Sequence, residues 1–184
     1  MRNLEVLTRE QVAPETQEIF DALKKKVGMV PNLYATTANS SKALATMLNA
    51  TETLAGGEFN AKEVEAIALA VAQVNGCGYC LSAHTAIAKM NGISEDDTLA
   101  IRNGVISDEK FKVLTDLARE ITVNHGRPEQ LFIDQFFAVG YSKAALAELI
   151  GLVSLNTFTN YVNNIANTKI DFPVAKDLPE EALA

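Results

Sequence analysis

The chain has 184 residues, 48% of them hydrophobic, which is enough to build a packed core and too apolar for a disordered chain. Its net charge of -7 argues against nucleic acid or an anionic membrane surface as the partner, and no basic run beyond Lys24–Lys25–Lys26 changes that. The start, MRNLEVLTREQ, lacks the apolar stretch and small-residue cleavage site of a signal peptide, and no segment is apolar enough to span a membrane, so a cytoplasmic protein is expected.

Helical signals then follow one another along the chain. Val6 to Glu10 reads as an extended entry. Pro14 suits a first helical turn, and Pro14 to Lys26 turns Ile19, Phe20 and Leu23 to one side before Gly28 stops it. Pro31 opens a short helix, PNLYATTA. Ser41 to Leu54 is a longer one with Leu44, Met47, Leu48 and Leu54 apolar, ended by Gly56–Gly57. Asn60, with Glu63 three residues on, is a loose capping box for the next helix.

In that helix Ala66 to Ala72 are all apolar, which predicts burial on nearly every side. Glu65 stands out, because on a helical wheel it falls between Leu69 and Ala72. A lone ionised carboxylate there costs free energy, and a group so placed is suited to passing protons. Asn75–Gly76 closes the helix.

The next stretch, NGCGYCLSAHTAIAKMN, holds both cysteines of the chain and one of its two histidines. On a helix, Cys77, Cys80 and His84 fall within an arc of about 60°, and Tyr79 points away from them. Gly76 and Gly78 place the pair at or near a helix N-terminus. The free N–H groups there favour a thiolate, and His84, one turn beyond Cys80, can exchange a proton with it.

Asn91–Gly92 ends this helix and Ser94 caps another, with Asp97 behind it. Ser107 caps Asp108 to Asn124, which Gly126 stops. Pro128 opens Glu129 to Val139. Ser142 caps the longest helix, Lys143 to about Asn167, and Asp171–Phe172–Pro173 begins an irregular tail. No alternating β-branched run insists on a strand. The expectation is one all-α domain of about seven or eight helices over 1–184, with an N-terminal helical extension at 1–40, a core at 41–168, a tail at 169–184, and the cysteine pair at the start of a central helix.

The last helix has no charged residue between Glu148 and Lys169, while Asn156, Asn160, Asn163 and Asn167 form a stripe. A solvated face normally carries Lys and Glu. An uncharged helix therefore suits burial, including against another copy of the chain, so a homo-oligomer is expected; the amide stripe reads as structural.

Three chemistries fit the cysteine stretch. Two cysteines spaced C-x-x-C in a reducing compartment point to thiol redox work. Cys77, Cys80 and His84, with His125 or Glu65 as a fourth, also have the spacing of a zinc site, although no second ligand pair is present. Buried cysteines acting as small hydrophobes are the third reading. His125, at a predicted helix C-terminus, reads as structural.

Glu65, eleven intervening residues, Cys77-Gly78-Tyr79-Cys80, three more residues and His84 together resemble the signature of the alkylhydroperoxidase-D-like (AhpD-like) family of the carboxymuconolactone decarboxylase superfamily. Asn156 to Pro173 is similar to the closing helix and tail of its peroxidase-related members. The resemblance implies an all-helical fold assembled as trimers, hexamers or larger rings. It also implies a thiol peroxidase or disulfide reductase without metal, haem or other cofactor, reduced by an external dithiol. Cys80 would be the peroxidatic cysteine and Cys77 the resolving one, with His84 and Glu65 as the proton relay. The substrate would be a hydroperoxide. The reductant would be a thioredoxin-like or lipoyl dithiol, or the chain would pass electrons to a peroxiredoxin. Well-studied members carry a histidine between the cysteines, where this chain has Tyr79. Decarboxylase members lack the cysteine pair, which argues against that reaction here.

Overall fold

The structure is a computed structural model and describes residues 4–178. Residues 1–3 and 179–184 of the predicted extension and tail lie outside the described residues.

Among the described residues there are nine α-helices and no strand: α1 (Pro14–Val27), α2 (Asn32–Thr37), α3 (Ser41–Leu54), α4 (Ala61–Val74), α5 (Gly78–Met90), α6 (Glu95–Asn103), α7 (Glu109–Val123), α8 (Gln130–Ala138) and α9 (Lys143–Ala166). Eight of them run seven residues or more, and the ninth, α2, is the six-residue helix read at PNLYATTA. A single 3-10 turn, Arg9–Gln11, interrupts the extended entry. The cap of α7 is Asp108 rather than Ser107, because the Asp108 carboxylate is the group that accepts from the Phe111 N–H. None of the described helices is long and apolar enough to cross a membrane.

α4 organises the molecule. Its start is fixed by a full capping box, in which the Asn60 side chain accepts from the Lys62 and Glu63 N–H groups and Glu63 Oε2 accepts from the Asn60 N–H. The other oxygen of Glu63, itself buried, accepts from the Tyr141 hydroxyl at 2.7 Å. Every residue from Ala66 to Ala72 is buried. The alternation of Ala66, Ala68, Ala70 and Ala72 with larger side chains lets four helices, α5, α6, α7 and α9, approach this one axis.

Three apolar clusters follow. One packs Ile67 and Val71 of α4 with Leu114 and Leu117 of α7 and Leu149 of α9, closed by Phe136 stacked on Tyr141 at 4.4 Å. A second gathers Leu69, Cys77, Cys80 and Ile101. The third joins Phe20 to Leu44 and Met47 under the first helices. The residues after α9 run back across the start of α5. There Phe172 meets Tyr79 edge-on, and the Ala175 N–H donates to Ser82 Oγ at 3.1 Å.

Candidate active site

The turn between α4 and α5 sets the cysteines. Gly76 has φ 61, a left-handed conformation that a side chain would strain, and it delivers the chain to Cys77. Cys77 is the N-cap of α5 rather than a residue of its first turn. Its sulfur accepts from the Cys80 N–H at 3.3 Å, taking one of the donors that a helix start leaves free. Both cysteines are reduced and buried.

Glu65 and His84 meet across the α4–α5 contact. Glu65 Oε2 lies 2.8 Å from His84 Nδ1, with the carboxylate side chain 10% exposed and the imidazole 23%. A carboxylate only accepts, so Nδ1 carries the proton and Nε2 is left as the basic nitrogen. Burial alone would pull the His84 pKa down. The Glu65 charge and hydrogen bond, with the Cys80 charge beside them, overcome this, and the net direction is upward. His84 and Cys80 share no hydrogen bond among the described residues, so of the contacts an expected proton relay would need, the structure holds the Glu65–His84 one and not the His84–Cys80 one.

Cys80, His84 and Glu65 all line one cavity of about 320 Å³, walled mostly by apolar side chains of α3, α4 and α9 such as Met47, Ala68 and Leu155. Cys77 does not line it. The Cys80 thiol is moved down to about 6, first by the hydrogen bond from the Cys77 thiol, then by the His84 charge and by Asn163 and Asn160, with burial opposing. Cys77 is moved the other way by the same bond and by burial. Thus the sulfur that faces the cavity is also the one favoured as thiolate, and its neighbour holds the proton.

Two sequence expectations change here. The asparagine stripe is not only structural: Asn163 Nδ2 donates to the Cys80 sulfur at 3.3 Å. Asn156, Asn160 and Asn163 are buried, whereas Asn167 leaves the stripe to become the left-handed C-cap of α9 with φ 49. The signal for this in the sequence was amides on a helix without charge; their target, eighty-odd residues away, was not readable. Tyr79 does not simply turn away either. It is buried, its ring borders the Cys80 cavity, and its hydroxyl accepts from the Leu33 N–H at 3.2 Å on α2. Burial pushes its phenol pKa well up.

Among the described residues no three His, Cys, Asp or Glu side chains come together as a metal-ligand group, so Cys77, Cys80 and His84 do not form the set their spacing allowed. His125 sits just past α7 in a left-handed conformation.

Residues 41–120, which carry α3 to α5 and the whole cysteine stretch, match the carboxymuconolactone decarboxylase family. That match covers less than half of the chain, and the rest of the likeness is one of fold. No curated protein sequence matches the chain. Its fold is shared with an uncharacterized peroxidase-related protein from Silicibacter sp. TM1040 (23% identity, 91% of this chain and 89% of that one, TM-score 0.76). It is shared too with the alkylhydroperoxidase AhpD core of an uncharacterized peroxidase-related protein from Ralstonia eutropha JMP134 (15% identity, 92% of both chains, TM-score 0.83). The debrominase Bmp8, in complex with 2,3,4-tribromopyrrole, has the same fold at 18% identity, covering 93% of this chain and 92% of that one with a TM-score of 0.78.

Proposed function

We propose that this protein is a thiol-dependent peroxidase of the alkyl hydroperoxide reductase type, within the carboxymuconolactone decarboxylase superfamily that residues 41–120 match. The observation that carries the reading is that Cys80, His84 and Glu65 open onto one apolar cavity while Cys77 lies behind Cys80 at the helix cap.

In this mechanism the Cys80 thiolate attacks the terminal oxygen of a hydroperoxide. The O–O bond breaks, Cys80 becomes a sulfenic acid, and the departing alkoxide takes a proton from His84 to leave as an alcohol. The peroxide oxygen is reduced and the sulfur oxidised. Cys77 then attacks the Cys80 sulfur, its proton and the hydroxide leave as water, and a disulfide forms. An external dithiol, of thioredoxin-like or lipoyl type, restores both thiols by exchange and becomes a disulfide itself. The sum is hydroperoxide plus dithiol giving alcohol, water and disulfide. The apolar wall favours an organic hydroperoxide over hydrogen peroxide. Assembly as a homo-oligomer belongs to the same proposal, through the uncharged face of α9 that leaves Ile150, Phe158, Tyr161 and Ile165 exposed.

The test is consumption of cumene hydroperoxide with reduced lipoamide or thioredoxin as donor. Cys80→Ser is expected to abolish turnover, and Cys77→Ser to stop after one sulfenic acid per site. Full peroxidase activity in Cys80→Ser overturns the proposal. Turnover that appears only when a peroxiredoxin is added identifies the chain as that partner's reductase. A second reading, reductive dehalogenation of a halogenated aromatic by the same dithiol, is favoured by the apolar cavity at Cys80 and the likeness to Bmp8. Release of bromide from 2,3,4-tribromopyrrole, measured in parallel, separates the two.

A further inference from the structure

Two buried amides of α9 adjoin the cysteine turn, Asn163 at the Cys80 sulfur and Asn160 at Asn75, and the redox reading gives them no task. Asn163, 3% exposed, donates its Nδ2 to that sulfur at 3.3 Å. Asn160, with no exposed surface, accepts from Asn75 Nδ2 at 2.9 Å through its Oδ1. This bond decides which way the Asn160 amide points: its oxygen is taken by Asn75, so its NH2 is directed elsewhere. That nitrogen is buried and has no hydrogen-bond partner. Asn75, the C-cap of α4, is held in turn by Asn164, whose Nδ2 donates to its carbonyl at 2.9 Å. The turn that presents the cysteines is thus tied to α9 by Asn160 and Asn164, with Asn163 between them on the Cys80 sulfur.

A buried donor without an acceptor is costly, and native structures rarely keep one without reason. Here Asn163 already donates to a sulfur, and Asn160, three residues before it on the same helix, favours the ionised form of that same thiol. A neutral thiol is a weak acceptor, whereas a thiolate is a strong one, and hydrogen bonds to an ion are about twice as strong as those between neutral groups. We propose that Asn163 and Asn160 are positioning residues that hold the anionic sulfur of Cys80 between two amide NH2 groups, with Asn75 fixing the orientation of the second.

The surroundings agree. The charged and titratable groups that face Cys80 are Cys77, Tyr79 and His84 from α5, with Glu65 of α4 acting through His84 and Asp171 of the tail against Tyr79. α9 brings no charge to the site, since no residue between Glu148 and Lys169 is ionisable as an acid or base except Tyr161, which is half exposed on the opposite face. Both amides lower the Cys80 pKa, in the direction that donors to a thiolate must act. Neutral donors hold the anion without bringing a counter-charge into an apolar site, and so without blocking the approach of an uncharged substrate.

This inference rests on the reading of Cys80 as the reactive thiol, but its test needs no peroxide. The rate of iodoacetamide labelling is followed at each cysteine by peptide mass spectrometry, as a function of pH, in the reduced native protein and in Asn163→Leu, Asn160→Leu and Asn75→Ala. Asn163→Leu is expected to move the Cys80 labelling midpoint up by about one pH unit. Asn160→Leu is expected to move it in the same direction. Asn75→Ala, which frees Asn160 but leaves every group at the sulfur, is expected to give a smaller upward shift. A cooperatively folded Asn163→Leu protein with an unmoved Cys80 midpoint overturns the proposal. Should the leucine variant fail to fold, Asn163→Ser is read by the same criterion. A protein without peroxidase activity whose midpoint still follows Asn163 keeps this inference and sinks the peroxidase reading. An active peroxidase with an unmoved midpoint does the reverse.

Discussion

Glu65 is a buried carboxylate whose burial is offset by one short contact to His84. Replacing it with glutamine keeps a hydrogen-bond acceptor and removes the charge. His84 has a raised pKa in the folded protein, so its protonated form contributes stability that is fully present below about pH 6.5, the ordinary histidine value, and is lost as pH rises through the folded pKa. Urea unfolding at pH 5.5 and pH 8.5 is therefore expected to show Glu65→Gln destabilised at the lower pH by about 1 kcal/mol more than at the higher. Equal losses at both would mean that the imidazole is neutral throughout. Cys80 carries the opposite sign. Its lowered pKa means that the thiolate's contribution is present at high pH and is lost as pH falls through about 6, which is where its labelling rate should fall as well.

At the scale of the element, α4 is where small sequence changes should be felt most. Asn60→Ala removes the cap that binds the Lys62 and Glu63 N–H groups and is expected to cost about 1 kcal/mol, read as a lower midpoint in urea. Tyr141→Phe leaves the buried Glu63 oxygen without its donor and is expected to cost about 1–3 kcal/mol. Phe136→Ala opens a hole against Tyr141 and α7 in the largest apolar cluster, at about 3–5 kcal/mol. None of these three residues lines the Cys80 cavity, so activity per folded molecule should be retained. Loss of activity without loss of stability in Tyr141→Phe would show that α4 transmits more than position.

For the whole molecule, the packing of α3, α4 and α9 around α5 creates a space that none of these helices has alone. Ala68 forms part of its wall, and its own surface is almost wholly covered. Enlarging it to leucine fills part of the cavity without touching the sulfur or the relay. The ratio of kcat/KM for cumene hydroperoxide to that for hydrogen peroxide is expected to fall about tenfold, a change of the size that one or two carbon atoms make in an apolar pocket. An unchanged ratio would mean that peroxides reach Cys80 by another route. On the outer side, Ile150, Phe158, Tyr161 and Ile165 share an arc of about 80° on α9. Ile165→Glu is expected to shift sedimentation toward the monomer.

The helices were legible because their signals are local. Asn60 and Ser94 with acids three residues on, Pro14 at a first turn, and the glycine after α1 act through the backbone within one turn, and the structure follows them to within a residue or two. The Glu65, Cys77, Cys80 and His84 grouping was legible in part for the same reason, since the last three lie on one helix or its cap. Only the fold could join Glu65 to His84, place Cys77 behind Cys80 rather than beside it, and bring Asn163 to the sulfur, because each of these depends on how helices cross and how closely they pack. The sequence by itself determined the helices, through hydrogen bonds between near neighbours in the chain, and placed the candidate site residues on them. The tertiary structure decided which thiol faces the cavity and what holds it, because burial and long-range contact are properties of packed helices rather than of any one of them.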